Sequence, residues 1–332
     1  MQKIVFLFLI VVMSNYAFAQ EDSAVTKLMN SVDGSSKKTG EATKVFYSQK
    51  LINANTVEVL HKGILEFKVV HNFGDVAGKN GGSKNFFGLD AATDVKLALQ
   101  AGLSNKLNVF LARSRGDYHA VAKMVETGFK YQFLKQMDND PKHPVSLTLF
   151  ANAVVSTMAA DTFNNIGAVK TQDDRFKNFS DRLSEVVQLM VARRFGNISL
   201  QLSPTYLHTS LVLPGDEQSL FAIGLGARLP LSKKFILVTD YFHPFRSSAT
   251  RTALRSQFTT YSNPNEAELY DVFGIGVEIL TPGHMFHLNF TNATSILENR
   301  FLRRTYSTWG KGQFHWGFTV ARNFVLFRDK KK

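Results

Sequence analysis

The sequence predicts an all-β protein, a transmembrane antiparallel up-and-down β-barrel with about twelve strands. Three observations support this prediction. The chain begins with an export signal, its later part alternates apolar and polar residues, and short and long connections alternate between the resulting strands. After the signal, no apolar stretch approaches the roughly 20 residues that a transmembrane helix needs.

The first residues predict export. Lys3 precedes the apolar stretch from Ile4 to Met13, and Ala17-Phe18-Ala19 has the small-x-small pattern of a cleavage site. We therefore predict a signal peptide over residues 1–19 that is cleaved after Ala19, and a mature protein in the bacterial outer membrane. Residues 20–62 are mixed and polar, which is typical either of a periplasmic N-terminal segment or of a plug inside the barrel.

Residues 63–332 carry the predicted barrel. Leu65, Phe67 and Val69 alternate with Glu66 and Lys68, as expected of a strand with one apolar and one polar face. The ninth stretch is apolar on both faces, so its register stays open. The predicted strands cover residues 63–72, 93–103, 106–114, 124–135, 145–156, 183–196, 198–212, 218–231, 234–242, 268–281, 284–292 and 313–327.

The connections predict the orientation. Gly196-Asn197 and Thr281-Pro282-Gly283 are tight turns, whereas residues 157–182 and 243–267 form long connections. Short periplasmic turns and long extracellular loops are the arrangement of outer-membrane barrels.

The composition narrows the function. The 332 residues are 44% hydrophobic and contain 29 Phe, no Cys and a formal net charge of +12. These values exclude a disordered chain, a disulfide scaffold, Cys-based zinc sites and iron–sulfur centres. The Phe excess is typical of the aromatic girdles of membrane barrels. Export and the lack of a binding motif argue against a nucleic-acid partner.

Two sets of charged residues are candidate functional positions. If the apolar faces meet lipid, one set lines the lumen, and its excess of Lys and Arg predicts a weak preference for anions. These residues are Glu66, Lys68, Lys96, Lys130, Arg194, Arg228, Glu278 and His287. The other set makes the outer loops basic, either as solvated charge or as contacts for outer-membrane lipid and the phosphates of lipopolysaccharide. It consists of Arg246, Arg251, Arg255, Arg300, Arg303 and Arg304.

Small residues and histidines are further candidates for chemical sites. Gly224-Leu225-Gly226 and Gly274-Ile275-Gly276 are not phosphate loops, because no helix follows them, and on inward faces they leave space in the lumen. His284 and His287 would face opposite sides of a strand and share no metal ion. We predict no metal and no cofactor.

Three functional hypotheses follow. The first is a passive channel or transporter for small polar or anionic solutes. The second is a closed structural barrel that anchors or assembles a periplasmic or cell-surface protein partner. The third is a hydrolase at the rim that uses His208 and Ser210, for which the sequence offers no partner carboxylate. We predict that the protein is not an enzyme.

Several segments resemble an uncharacterised family of bacterial outer-membrane β-barrel proteins. They are residues 45–53, 65–74 and 88–90, the hairpin of residues 97–114, and residues 284–292. The resemblance implies a barrel in the outer membrane and carries no established activity. Asn72 occupies the Arg position of a His-Arg-Phe-Gly pattern of that family.

Overall fold

The computed structural model describes residues 42–116, 122–160, 176–232, 234–259, 268–281 and 283–327. The predicted signal peptide and residues 20–41 lie outside the described residues. In the ranges that are described, no helix is long and apolar enough to cross a membrane.

Twelve antiparallel strands form one closed barrel, which confirms the predicted fold class. Each strand pairs with its neighbours in sequence, and the first pairs with the last. The largest boundary difference is at the tenth strand, which begins at Val272 rather than at residue 268. The strands are β1 (Ile64–Asp75), β2 (Ala92–Gly102), β3 (Leu107–Gly116), β4 (Lys123–Leu134), β5 (Ser146–Ser156), β6 (Leu183–Phe195), β7 (Ile198–Thr209), β8 (Ser219–Pro230), β9 (Phe235–Phe245), β10 (Val272–Thr281), β11 (His284–Thr291) and β12 (His315–Val325).

The pairing of β1 with β12 closes the barrel. Val69 lies opposite Val320 in this pair, and beyond the strands the Leu326 N–H donates to the Gly63 carbonyl at 2.8 Å. Gly63 has a φ of +79°, and a Cβ there would lie 2.4 Å from the carbonyl oxygen of Phe327. Only glycine therefore fits where the chain enters β1 beside the end of β12.

Side chains alternate between the two faces of the wall as the sequence predicted. Leu97, Leu99 and Leu111 point outward and are exposed, as an apolar lipid-facing band requires. The structure also resolves the register of β9. Its inward residues are buried, and they comprise the apolar Ile236, Val238 and Phe242 and the acidic Asp240.

The two ends of the barrel differ in their connections. At one end, called here the short-turn end, lie Gly63, Leu326 and the turns after the even-numbered strands β2 to β10. The other end, the long-loop end, carries the connections over residues 76–91, 157–182, 210–218, 246–271 and 292–314, and a shorter one over residues 117–122. Helix α1 (Ser248–Thr259) lies in the β9–β10 loop and the short helix α2 (Glu298–Phe301) in the β11–β12 loop.

The lipid-facing band predicts a depth-dependent response to charge. Leu111 lies in the middle of β3 and is 56% exposed, whereas Leu231 is 60% exposed in the turn after β8. We expect Leu111→Arg to destabilise the protein in phospholipid vesicles, lowering its free energy of unfolding by about 2–4 kcal/mol. Leu231→Arg should lower the free energy of unfolding by only about 0–1 kcal/mol. Urea titration of vesicle-inserted protein measures both values, and equal effects would contradict the assigned faces.

Candidate functional site: the occupied lumen

Two segments of the chain occupy the barrel interior. The N-terminal insert, residues 42–60, enters from the short-turn end, and its residues Val45, Phe46 and Leu51 are fully buried. The loop insert, residues 293–305 of the β11–β12 loop, enters from the long-loop end and buries Leu297 and Phe301. Most of residues 43–60, within the segment predicted to be periplasmic or a plug, are thus buried inside the barrel.

The N-terminal insert folds as a hairpin. Lys50 pairs with Asn55 in an antiparallel bridge, and the Leu51 N–H donates to the Ala54 carbonyl at 2.8 Å. Glu58 links the two arms of the hairpin, because its Oε1 accepts the N–H groups of Val45 and Phe46 at 2.8 and 3.0 Å. The tip of the hairpin is therefore residues 51–54.

Asp240 of β9 binds that tip. Its Oδ2 accepts the N–H groups of Ile52, Asn53 and Ala54 at 3.0, 2.6 and 2.8 Å. Its Oδ1 accepts the Asn53 side-chain amide at 2.9 Å. Successive N–H groups that converge on one oxygen form an anion-binding concavity, and hydrogen bonds to an ionised carboxylate are stronger than neutral ones. The uncharged N–H groups of the hairpin tip thus bind the buried carboxylate of Asp240.

Two glycines make room for the tip. A Cβ on Gly274 would lie 2.8 Å from both Asp240 Oδ1 and Ile52 Cγ2. A Cβ on Gly226 would lie 2.7 Å from Leu51 Cδ1. The lumen space that the sequence assigned to these glycines is therefore occupied by the insert.

Lys130 of β4 holds the two arms of the hairpin together. Its ammonium donates to the carbonyls of Gln49 at 2.8 Å and Thr56 at 3.0 Å, with a third carbonyl, that of Glu58, at 3.5 Å. Burial of this charge is costly without partners, and three carbonyl dipoles provide them. Lys130 was predicted to line the lumen, and it contacts the insert rather than open water.

Three uncharged wall residues complete the contacts with the second arm. Gln132 and Thr148 both donate to the Val57 carbonyl, at 3.0 and 2.7 Å. Gln201 accepts the Val57 N–H at 3.0 Å and donates to the Asn55 carbonyl at 2.6 Å. Side chains of the wall therefore bind both N–H and carbonyl groups of the main chain in this arm.

Most of the other predicted lumen charges are paired with one another. Lys68 lies 2.7 Å from Glu66, and Lys96 contacts Glu126, which the prediction did not include. These four side chains face inward in β1, β2 and β4. The pairs reduce the excess of positive charge on which the expected anion preference depended.

A second group surrounds Glu278 of β10. His287 Nε2 lies 3.0 Å from Glu278 Oε2, and its Nδ1 lies 3.0 Å from the Leu51 carbonyl oxygen. The Arg228 guanidinium lies 4.0 Å from Glu278 and stacks over the ring of Tyr47 at 4.1 Å. Arg194 is different, because it is half-buried at the short-turn rim, where its Nε donates to the Gly196 carbonyl at 2.8 Å.

The loop insert is anchored by Asp94 of β2. Asp94 Oδ2 accepts the Ile296 N–H at 2.9 Å and an Arg300 guanidinium N–H at 3.2 Å. Asn72, which stands at the Arg position of the family pattern, donates its side-chain amide to the Ala293 carbonyl at 3.2 Å. The position therefore contributes to holding the loop insert in this chain.

The two inserts meet inside the barrel. The Asn55 amide donates to Glu298 Oε1 at 2.8 Å, and the Lys50 ammonium lies 3.4 Å from the Ile296 carbonyl oxygen. Apolar side chains of the wall pack against both inserts in one cluster, which includes Val45, Phe46, Leu51, Val186, Met190, Leu207, Leu220, Ile236, Val238, Phe242, Phe301 and Leu302. The interior is therefore partly apolar, where the sequence predicted only a small and polar lining.

The sequence matches a family model over residues 46–324, described as "Membrane bound beta barrel domain (DUF5777)". The chain belongs to this family of membrane-bound β-barrels. The match confirms the resemblance found in the sequence. A comparison with curated proteins found no match.

Solved structures of porins and channels are similar in fold to this family member. The KdgM porin is 6% identical, with 79% of this chain and 99% of that chain covered and a TM-score of 0.43. The NanC porin is 7% identical, with coverage of 77% and 97% and a TM-score of 0.41. An outer-membrane channel from Pseudomonas putida F1 is 12% identical, with coverage of 81% and 98% and a TM-score of 0.41. At these identities the likeness concerns the fold alone.

In this membrane barrel, the basic outer loops do not form one exposed patch. Arg246 and Arg303 both pair with Asp216 and are buried, as is Arg300 beside its own carboxylate partner. The reason is that loops distant in sequence pack together at the long-loop end. Of the remaining three, Arg251 and Arg255 are exposed on α1 and Arg304 is half-buried. Next to the Asp216 cluster, a hydrogen bond from the Thr250 hydroxyl lowers the pKa of Glu217.

The candidate hydrolase pair is not assembled. The His208 ring contacts the Ser219 hydroxyl at 3.1 Å rather than Ser210. His287 is buried inside the barrel, whereas His284 is half-buried on the other face of β11. Among the described residues, no three His, Asp or Glu side chains lie close enough to hold a metal ion.

The hydrogen bonds to Asp240 should protect the N–H groups of the hairpin tip from exchange with solvent. We expect Asp240→Asn to speed amide hydrogen exchange at Ile52, Asn53 and Ala54 by about tenfold or more, because three N–H groups lose a charged acceptor. Asp181→Asn is the matched control, since Asp181 caps only residues 177 and 178 in an exposed loop. Unchanged protection at the tip would contradict the assigned role of Asp240.

Proposed function

We propose that this protein is a bacterial outer-membrane channel for small polar solutes, closed by its own N-terminal insert. One observation carries the proposal. The wall binds the N-terminal insert through side-chain hydrogen bonds and apolar packing, so that this segment can leave without breaking the main-chain ladder of the barrel. Twelve strands also lie between the filled eight-stranded barrels and the open sixteen-stranded porins. The family membership and the predicted signal peptide support the location.

The path of the insert supports withdrawal toward the periplasm. Near its start, the Thr43 N–H donates to the Gln136 carbonyl in the β4–β5 turn at 2.8 Å. Near its end, His61 packs against Gly102 at the end of β2, where a Cβ would lie 2.1 Å from the His61 carbonyl oxygen. Both positions are at the short-turn end. The insert therefore enters and leaves the lumen at the same side, and no strand has to open for its release.

The wall charges support polar solutes with weak charge preference. Withdrawal would expose Lys130 and Asp240, one charge of each sign, together with the amides of Gln132 and Gln201. It would also expose the group of Arg228, Glu278 and His287, which contacts the insert at Tyr47 and Leu51 and pairs Glu278 with both of its neighbours. The ion pairs of Lys68 and its neighbours would remain in the wall. Strong anion selectivity is not part of this proposal, because compensated charges contribute little net potential in a pore.

The second candidate is the closed structural barrel that anchors a partner. The observation that favours it is the loop insert, which occupies the long-loop end and contacts the first insert at Asn55. In this case both inserts would stay in place, and the lumen would never conduct. Conductance of variants with a weakened insert separates the two candidates.

Repulsion at the hairpin tip provides the test. Asn53→Asp is isosteric and places a carboxylate about where the amide now lies 2.9 Å from Asp240 Oδ1. Two carboxylates so close repel each other when both are ionised. We expect full-length Asn53→Asp protein to give stepwise conductance in planar bilayers at about pH 8, and the wild-type protein to conduct much less.

Two further variants sharpen this test. Asn85→Asp, in an exposed loop, should stay closed because it has the same added charge away from the lumen. Asp240→Asn combined with Asn53→Asp should reduce the conductance again, since one carboxylate is removed. A folded Asn53→Asp protein that does not conduct would favour the closed structural barrel.

A further inference from the structure

The wall recognises the N-terminal insert mainly through its main chain. Asp240 accepts three N–H groups, Lys130 donates to three carbonyls, and Gln201 contacts one carbonyl and one N–H group. Main-chain groups are common to all peptides, whatever their side chains. Most of these wall contacts would therefore be available to another peptide of different sequence.

Three of these contacts follow one another along a tripeptide. The Ala54 N–H donates to Asp240 Oδ2 at 2.8 Å, the Asn55 carbonyl accepts from Gln201 Nε2 at 2.6 Å, and the Thr56 carbonyl accepts from Lys130 Nζ at 3.0 Å. The three wall side chains are 2%, 3% and 1% exposed, respectively. The wall thus fixes the beginning, middle and end of a stretch that spans at most about 10 Å.

The two charged members of this site have only neutral hydrogen-bond partners in the insert. Asp240 is bound by amide N–H groups, and Lys130 by carbonyls. Hydrogen bonds between two ionised groups are stronger than those with one. A free peptide begins with an ammonium group and ends with a carboxylate, so it would bring the opposite charge to each residue.

We propose that the opened lumen is a binding site for short free peptides, which occupy the position of residues 54–56. The peptide ammonium binds Asp240, a central carbonyl binds Gln201, and the terminal carboxylate binds Lys130. The N-terminal insert is then an internal mimic of the peptide that it excludes. This inference rests on the proposed channel function and names its substrate class.

The experiment uses full-length Asn53→Asp protein in planar bilayers. Two probes are Ala-Asn-Thr, which copies the insert, and trialanine, which retains only the main chain. We expect both to block the conductance in a saturable manner. Acetylation of the amino end or amidation of the carboxyl end should weaken the block by about tenfold or more, because each cap removes one ionic contact.

Wall variants in the same background locate the site. Lys130→Met or Gln201→Leu should weaken the block by trialanine by about tenfold or more. Lys106→Met is the matched control, because Lys106 is exposed in the β2–β3 turn, and it should leave the block unchanged. An equal effect of Lys106→Met and Lys130→Met would overturn the assignment.

The outcomes distinguish this inference from the proposed function. A conducting Asn53→Asp protein that neither free peptide blocks, or that capped peptides block equally well, overturns the peptide site and leaves the channel standing. If Asn53→Asp protein fails to fold, Gly226→Leu displaces the insert sterically at Leu51 and replaces it in the same experiment. If the variant that folds, Asn53→Asp or its replacement Gly226→Leu, does not conduct, the channel function and the peptide site are overturned together.

Discussion

The closed ladder of main-chain hydrogen bonds is the constraint on which the rest of this structure depends. Hydrocarbon offers no partner for an unpaired N–H or carbonyl group, so β1 must pair with β12 and leave no edge. Closure with twelve strands then fixes a lumen wider than the filled lumen of an eight-stranded barrel. That interior must contain either water or more polypeptide. In this protein it contains two segments, one from each end.

The N-terminal insert is bound by a wall that combines apolar packing with a few buried charges. Leu51 and Phe46 pack with apolar residues of the wall, as in the core of a soluble protein. Asp240 and Lys130 contribute the directional contacts, because each binds several main-chain groups at once. Apolar burial favours an occupied lumen without fixing the register of the occupant, whereas the two charges fix where the tip and the arms of the hairpin lie.

The strands were predictable because lipid imposes a simple pattern on the outer face. Every second residue must be apolar there, and stretches such as residues 93–103 follow that rule along their length. The inner face has no such rule, and the sequence therefore identified its charged residues without their partners. Glycines such as Gly226 indicated space, but the spacing of small residues does not identify what occupies it.

The clearest missed signal was in β9. Its apolar residues Ile236, Val238 and Phe242 left the register open when the lumen was taken to be polar. A strand that is apolar on both faces needs an apolar partner inside the barrel, and Leu51 with its neighbours provides it. Asp240, the one charge on this inward face, was hidden in the same ambiguous stretch. The pairing of Arg303 with Asp216 was also missed, because it depends on how distant loops pack.

Contact between the two inserts couples the ends of the barrel. Asn55 and Glu298 belong to different inserts and share a hydrogen bond, and Phe242 of the wall packs against Phe301 with ring centroids 5.3 Å apart. Each insert therefore contributes to the stability of the other in its bound position. Such coupling is reciprocal. If a ligand shifts the loop insert and thereby changes the stability of the bound N-terminal insert, withdrawal of the N-terminal insert changes the binding free energy of that ligand by the same amount. The two ends of the barrel are thereby coupled through the contacts of the inserts in the lumen rather than through the strands of the wall.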